Sequence, residues 1–513
     1  MTKASDRVEN WLNTHTGLLT AAILLCGLFL RLYRATSFYL NPDEALSYLV
    51  ASQQDWHGLW ESYQSAVKVA HPPLFIFVLR GILRFDRSEL ALRLTSVLAG
   101  TFFPWFVMLW VRQLAGAAAG LCALILLTFS PTLIGLSAEV RTYALAFFCA
   151  AASLAALQRA LDGGGVIWMI WFHLCLYFAI LTDYSIMFFV GAAGAYALLR
   201  LWSRPARRSV RVAWTIGQAG AFGLYLFLLA TAASQWRSPQ FQKDIVEGWL
   251  RGAFPQPGDH LTIFALKGFL KQFKYFMGSE YLAPFTAAVF LFGIYTLWKK
   301  RATPAIVLLI LPFCLACAAA ILHLFPYGTS RHTAILGILI AVGAAQGVSA
   351  ITHGKILPIL AAAVLLIPVW VAKSQGDPMA IPESRYRLHW MRDAMRFLLS
   401  SAAPGSVVVT DHGTDYMLAY YLNSSDYGGS SNTPYRVREA GGLRIVSAPS
   451  FQFRDDAELR ESLSEVRREY RLQGPVWLAA GGFSIGVKTP PSEVRPFSEA
   501  ITIFRSYGTA QVP

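Results

Sequence analysis

The stretch HPPLFIFVLRGILRF, residues 71–85, is apolar enough to enter a bilayer and too short to cross one upright. A helix rises ~1.5 Å per residue against a hydrocarbon core of ~30 Å. Arg80 and Arg84 stand four residues apart, so both mark one face. The pattern predicts a helix lying in the interface, not a span. The choice matters because every later loop changes side with it.

Around this stretch the 513-residue chain is 55% hydrophobic and only 14% charged, which excludes an ordinary soluble domain. Candidate spans fall at 17–34, 90–111, 116–134, 141–158, 166–181, 185–201, 212–231, 283–298, 304–324, 332–350 and 356–372. With 71–85 in the interface there are eleven. With the N-terminus cytoplasmic, Arg112, Arg159, the Arg200–Arg211 cluster, Lys299–Arg301 and Lys355 then all face the cytoplasm. If 71–85 crossed, the Arg200–Arg211 cluster would lie outside. The net charge of +14 is therefore a topology signal, and nucleic acid is not expected as a partner. The six cysteines, Cys26, Cys122, Cys149, Cys175, Cys314 and Cys317, lie in apolar segments, so no disulfide framework is expected. The N-terminal segment reads as a retained first span.

These patterns give an all-α polytopic membrane domain over 1–376 and a small α/β extracytoplasmic domain over 377–513. In the latter GSVVVTDH, LRIVSAP, VWLAAGG and ITIFRSY read as strands, and LHWMRDAMRFLLSS and ELRESLSEVRREYRLQ as helices. No phosphate-binding glycine loop is present in it. One external loop, 232–282, holds Lys267, Lys271 and Lys274 at helical spacing, with Ile263, Phe264, Phe269, Phe273 and Phe276 as apolar surface. It reads as a second interfacial helix, meeting lipid phosphates or an anionic lipid substrate.

With sides assigned, the unusual polar groups share the external boundary. Asp43 and Glu44 follow span 1 in SFYLNPDEALSYLV, residues 37–50, and His71 opens the apolar stretch. Glu139, Arg141 and Tyr143 sit in SAEVRTYAL, Asp183 in ILTDYS, Arg331 and His332 in PYGTSRHTA. Singly, each has a structural explanation: Asn-Pro-Asp-Glu caps a helix, and arginine snorkels. Together they suggest a site, because ionisable groups beside hydrocarbon are costly. A carboxylate can take a hydroxyl proton, while arginine and histidine can hold a departing phosphate.

PDEA in the first loop, HPPL, EVRTYAL and the late YGTSRHTAILGILIAV, in that order, resemble membrane-embedded glycosyltransferases of the C superfamily. The nearest likeness is to the protein O-mannosyltransferase and aminoarabinose-transferase group. The resemblance implies an inverting transferase in the bacterial cytoplasmic membrane, its site and C-terminal domain periplasmic. The donor would be a polyprenyl-phosphate sugar, and the acceptor hydroxyl would belong to a glycolipid, lipopolysaccharide, polysaccharide or protein. It implies Asp43 as catalytic base or acceptor-binding carboxylate with Glu44 beside it. His71, Arg141, Arg331 and His332 would hold the donor phosphate, with Glu139, Tyr143, Asp183, Lys267, Lys271 and Lys274 in support. No cofactor is required by the sequence, and a divalent metal stays open. The alternative is a transporter or flippase of lipid-linked sugars, for which mid-membrane polar groups and internal symmetry would be expected.

Overall fold

The computed structural model describes residues 2–67, 71–203, 207–236, 248, 250–328, 331–373, 388–425, 436–448, 464–471, 476–481 and 502–506. Contacts divide the chain into two compact units. One comprises Met1–Arg34, Lys68–Phe75 and Arg93–Ala380; the other comprises Ala35–Val67, Ile76–Leu92 and Ile381–Pro513.

The first unit is helical. Among the described residues seven helices are long and apolar enough to span a membrane, and the bent pair Ala117–Phe129 plus Pro131–Ser137 makes an eighth. The other three expected spans are the shorter apolar helices Val166–Ile180, Leu336–Ile351 and Leu357–Lys373. Small residues set the tightest crossing. A Cβ on Gly293 would come within 2.0 Å of the Gly343 carbonyl oxygen, and one on Gly347 within 2.2 Å of that of Val289. Helices Leu282–Lys299 and Leu336–Ile351 thus meet backbone to backbone, as small-xxx-small pairs allow in lipid.

The third expected span differs from its sequence reading: it is broken, with a 61° bend. Pro131 supplies no N–H and disfavours helical geometry at the residue before it. Ser130 accordingly leaves the helix at φ −57°, ψ 121°, and its Oγ caps the second piece by accepting from Leu133 N. The break leaves the Thr128 carbonyl to Arg31, whose Nη1 donates to it at 3.1 Å and to Gly27 O at 3.1 Å.

In the second unit the C-terminal segment forms a five-stranded sheet: β1 (Val407–Asp411), β2 (Arg436–Ala440), β3 (Leu443–Ala448), β4 (Val476–Ala480) and β5 (Thr502–Ser506). The order is β2-β3-β1-β4-β5, with β1 parallel to β3 and β4, and β2 and β5 antiparallel at the edges. All four expected strand segments are present, β2 is additional, and helix Leu388–Ser401 is confirmed. Of the expected helix ELRESLSEVRREYRLQ, the first residues lie outside the described ones, while 464–470 are helical. Asp415 and Arg438, fully buried, form a fork-to-fork pair at 2.8 and 3.0 Å.

This unit's core is shared with the first loop. Tyr39 and Ala45 are buried among Met391, Leu398, Val408, Leu418 and Ile445. The backbone N–H of Leu40 donates to Tyr421 Oη (2.9 Å), Tyr48 stacks edge-on against Tyr420 (4.8 Å), and Pro42 touches Gly413. Segment Ile76–Leu92 belongs here too: Arg80 donates to the carbonyls of Ala51, Gln53 and Gln54, and Tyr420 Oη donates to Arg87 O. Arg80 is therefore tied to the first loop, with its guanidinium 4.9 Å over Trp56. The segments 35–67 and 76–92 thus share one compact unit with the C-terminal sheet. The helix Leu74–Leu83 is a short apolar helix of ten residues, most of it in this second unit.

Candidate active site

The chain prepares this site at helix ends. Helix Val166–Ile180 closes with Leu181 in the αR region, and Asp183 follows in a Thr-Asp-Tyr-Ser turn. There Asp183 Oδ1 accepts the Ser185 backbone N–H at 2.9 Å, the Asx geometry that aspartate favours two residues before a partner. Leu74 N donates to Leu181 O (3.0 Å), which fastens His71 and the two prolines beside this turn. Arg141 and Thr142 stand just before helix Tyr143–Arg159, and Ser96 Oγ donates to the Arg141 carbonyl at 3.2 Å.

His71, Arg141, Thr142 and Asp183 are all buried. Arg141 Nη2 lies 3.0 Å from His71 Nε2. A guanidinium only donates, so Nε2 must accept and the imidazole proton sits on Nδ1. That nitrogen faces Thr142 Oγ1 at 3.2 Å and Asp183 Oδ2 at 3.4 Å, while Thr142 Oγ1 itself donates to Asp183 Oδ2 at 2.9 Å. The result is a directed chain from Arg141 through a neutral His71 to an ionised Asp183. Burial, then the Arg141 charge, lowers the His71 pKa, against the pull of Asp183. Burial alone would raise the Asp183 carboxyl; the hydrogen bonds from His71 and Ser185 outweigh it and hold it below the usual carboxylate range. Tyr143 closes one wall, its ring edge-on to His71 (5.8 Å) with the Arg141 guanidinium 5.9 Å from its centre.

Arg331, also buried, is close enough for its charge to act on His71. Its segment is held by Thr333, which exchanges hydrogen bonds with buried Gln272 (2.8 and 3.2 Å) and donates to Gly328 O (3.2 Å). His332 is partly buried, with its ring 6.3 Å from Phe325. Glu139 is half-buried, and its carbonyl accepts the Arg141 backbone N–H at 2.8 Å. Arg141 and Arg331 thus bring two guanidinium groups to this cluster, donors of the kind that suit an anion.

Asp43 and Glu44 belong to the second unit, in the first turn of helix Pro42–Ala51. Glu44 is buried and closes a capping box: Asn41 Oδ1 accepts Glu44 N (3.0 Å), and Glu44 Oε2 accepts Asn41 N (2.9 Å). The local role that the Asn-Pro-Asp-Glu sequence predicts therefore falls to Glu44 and Asn41, while Asp43 is half-buried beside them.

The three lysines separate. Lys274 pairs with Glu280, whereas Lys267 and Lys271 line a cavity described below. Their helix, Leu261–Met277, also differs from the sequence reading, because Phe273 is buried against Phe290 and Phe313, and Phe276 is buried beside Gly337, so neither is open to lipid. Thr142, Ser185, Ser96 and Gln272 were not singled out from the sequence. For Ser185 the Asp-x-Ser spacing was a usable signal; Thr142, Ser96 and Gln272 bond to residues 41, 45 and 61 positions away and carried none. Among the described residues no three His, Cys, Asp or Glu side chains gather as a metal site.

Comparison with known proteins supports the resemblance read from the motifs. The sequence model described as dolichyl-phosphate-mannose-protein mannosyltransferase matches residues 70–231, which include His71, Arg141 and Asp183. ArnT from Cupriavidus metallidurans is similar in fold over nearly the whole of both chains. Its apo structure covers 96% of this chain and 98% of its own at 14% identity and a TM-score of 0.52. The structure bound to undecaprenyl phosphate covers 97% and 99% at 15% identity and a TM-score of 0.50. The Archaeoglobus fulgidus oligosaccharyltransferase is more distant, with 11% identity, 91% and 70% coverage and a TM-score of 0.47. No curated protein sequence matches significantly. At these identities the fold alone is what is shared, that of a polytopic helical membrane protein.

Proposed function

We propose that the chain is an inverting glycosyltransferase that moves a sugar from a polyprenyl-phosphate carrier to an acceptor hydroxyl at the outer face of the bacterial cytoplasmic membrane. The observation that carries this reading is the buried Arg141–His71–Asp183 chain with Arg331 beside it, set at helix ends in a fold like that of an undecaprenyl phosphate-binding protein. Its two guanidinium groups fit a lipid-borne phosphate. In the reaction, Asp43 accepts the acceptor's hydroxyl proton as that oxygen attacks the anomeric carbon. The bond from that carbon to the phosphate oxygen breaks, and its electron pair leaves with the carrier phosphate. Arg141 and Arg331 stabilise the charge gathered there, and neutral His71 keeps the Arg141 fork in place. Charge stabilisation of this kind is worth far more in a water-poor site than in solvent.

The purified protein, given radiolabelled polyprenyl-phosphate sugar and cell-envelope acceptors, is expected to transfer label. Asp43→Asn should lower transfer by ~10²-fold or more while the protein stays folded. Near-normal turnover of that variant removes Asp43 as the base. Movement of label across a proteoliposome membrane without transfer would establish the transporter reading instead. A chelator arm in the same assay decides whether a divalent metal takes part.

A further inference from the structure

Helix Leu261–Met277 and the loop before it enclose a cavity of about 550 Å³ in the first unit. Arg251, Lys267 and Lys271 line it, with His260 at its edge and Asp259 as the single carboxylate. Asp259 is occupied in capping the loop, accepting Gln256 N at 2.8 Å. Among the described residues none of the three cations pairs with an acid; Arg251 Nε donates to Gln256 Oε1 and Lys271 Nζ to Gly252 O. Phe254, Phe264 and Tyr327 provide the apolar wall. Tyr327 is seated against the helix at Gly268, where a Cβ would come within 2.3 Å of its ring, and its N–H donates to Ala253 O at 3.0 Å. The cavity is thus built by backbone bonds and ring packing.

Beside the lysines, the same helix leaves Ile263, Leu266 and Leu270 exposed at 48%, 61% and 44%. Its phenylalanine face is buried, so these side chains form a separate apolar strip adjoining the cationic mouth. A ligand that satisfies both features has a phosphate ester at one end and hydrocarbon at the other. We propose that this cavity is a binding site for the anionic phosphate-ester headgroup of a membrane lipid. The tail lies along Ile263, Leu266 and Leu270, and the site is distinct from the Arg141–His71–Asp183 cluster. Its wall runs through Tyr327 and Gly328 into the segment that carries Arg331, and Gly328 O is itself bonded to Thr333. Occupancy therefore braces that segment. The proposal does not rest on the transferase reading, and its test reads lipid retention without transfer.

The test is native mass spectrometry of the full-length protein titrated with phosphatidylglycerol, with a neutral galactolipid and with glycerol phosphate. Wild type is expected to retain phosphatidylglycerol, and Lys267→Ala/Lys271→Ala to retain it about 10–30-fold more weakly. The control Lys299→Ala/Lys300→Ala removes the same charge elsewhere and should change retention less than about twofold. Equal loss in both double variants, or none in the first, overturns the proposal. Galactolipid retained as well as phosphatidylglycerol would remove the phosphate requirement, and glycerol phosphate bound as tightly would remove the lipid. All the substituted lysines except Lys299 and Lys300 lie on one helix, so a melting curve for each variant verifies that it is folded.

Discussion

His71 is the residue on which the cluster turns, because it accepts from a cation and faces an anion at once. His71→Leu would leave buried Arg141 without this acceptor, at a cost of about 1–3 kcal/mol in stability. His71→Gln, which can still accept and donate, should recover much of that cost, as thermal melts in detergent would show. The pH dependence has a definite sign. The folded His71 pKa lies below the ordinary histidine value of about 6.5, so on acidification the unfolded chain takes the proton first. Its contribution is complete above that value and is lost as pH falls. Asp183, held below the usual carboxylate range, adds a further loss in the same direction at lower pH. The melting temperature should thus fall from pH 7 to pH 4, and less steeply over the upper part of that range in His71→Gln. A flat profile for the wild type would contradict a neutral buried imidazole.

At the scale of elements, the sequence was most readable where a single signal dominated. Apolar run length marked the long helices, because burying that much hydrocarbon outweighs any local propensity. The Ser130–Pro131 break was present as a dipeptide, yet the apolar run around it reads as continuous. Only the cap on Leu133 and the bond from Ser130 Oγ to Phe276 O (2.7 Å) reveal why the chain bends there. Ser130→Ala loses both and should destabilise by about 1–2 kcal/mol, visible as a lower melting temperature. The amphipathic helix at 261–277 was legible as a helix but not in its facing: spacing cannot tell a phenylalanine stripe packed on Phe290 from one open to lipid. In the site, residue types were readable and pairings were not, since Thr142 and Gln272 acquire their roles only through partners far along the chain.

At the scale of the whole molecule, a single cut near residue 376 describes the chemistry of the sequence but not how its cores are assembled, because Tyr39 and Ala45 share a core with the C-terminal sheet. Deleting residues 388–513 should therefore loosen the first loop: trypsin would cleave at Arg80–Arg87 in the truncated protein while sparing the full chain. Equal cleavage rates would refute the shared core. This arrangement also imposes a schedule on synthesis. Ala35–Val67 emerges early, but the strands and helices that cover it follow residues 93–380, 288 positions later, which at ribosomal speeds of ~5–20 residues per second is roughly a quarter of a minute to a minute. Throughout that interval the nascent loop must wait with Tyr39 and Ala45 uncovered, so its survival depends on chaperones, and slow codons in the intervening stretch would lengthen its exposure to proteases.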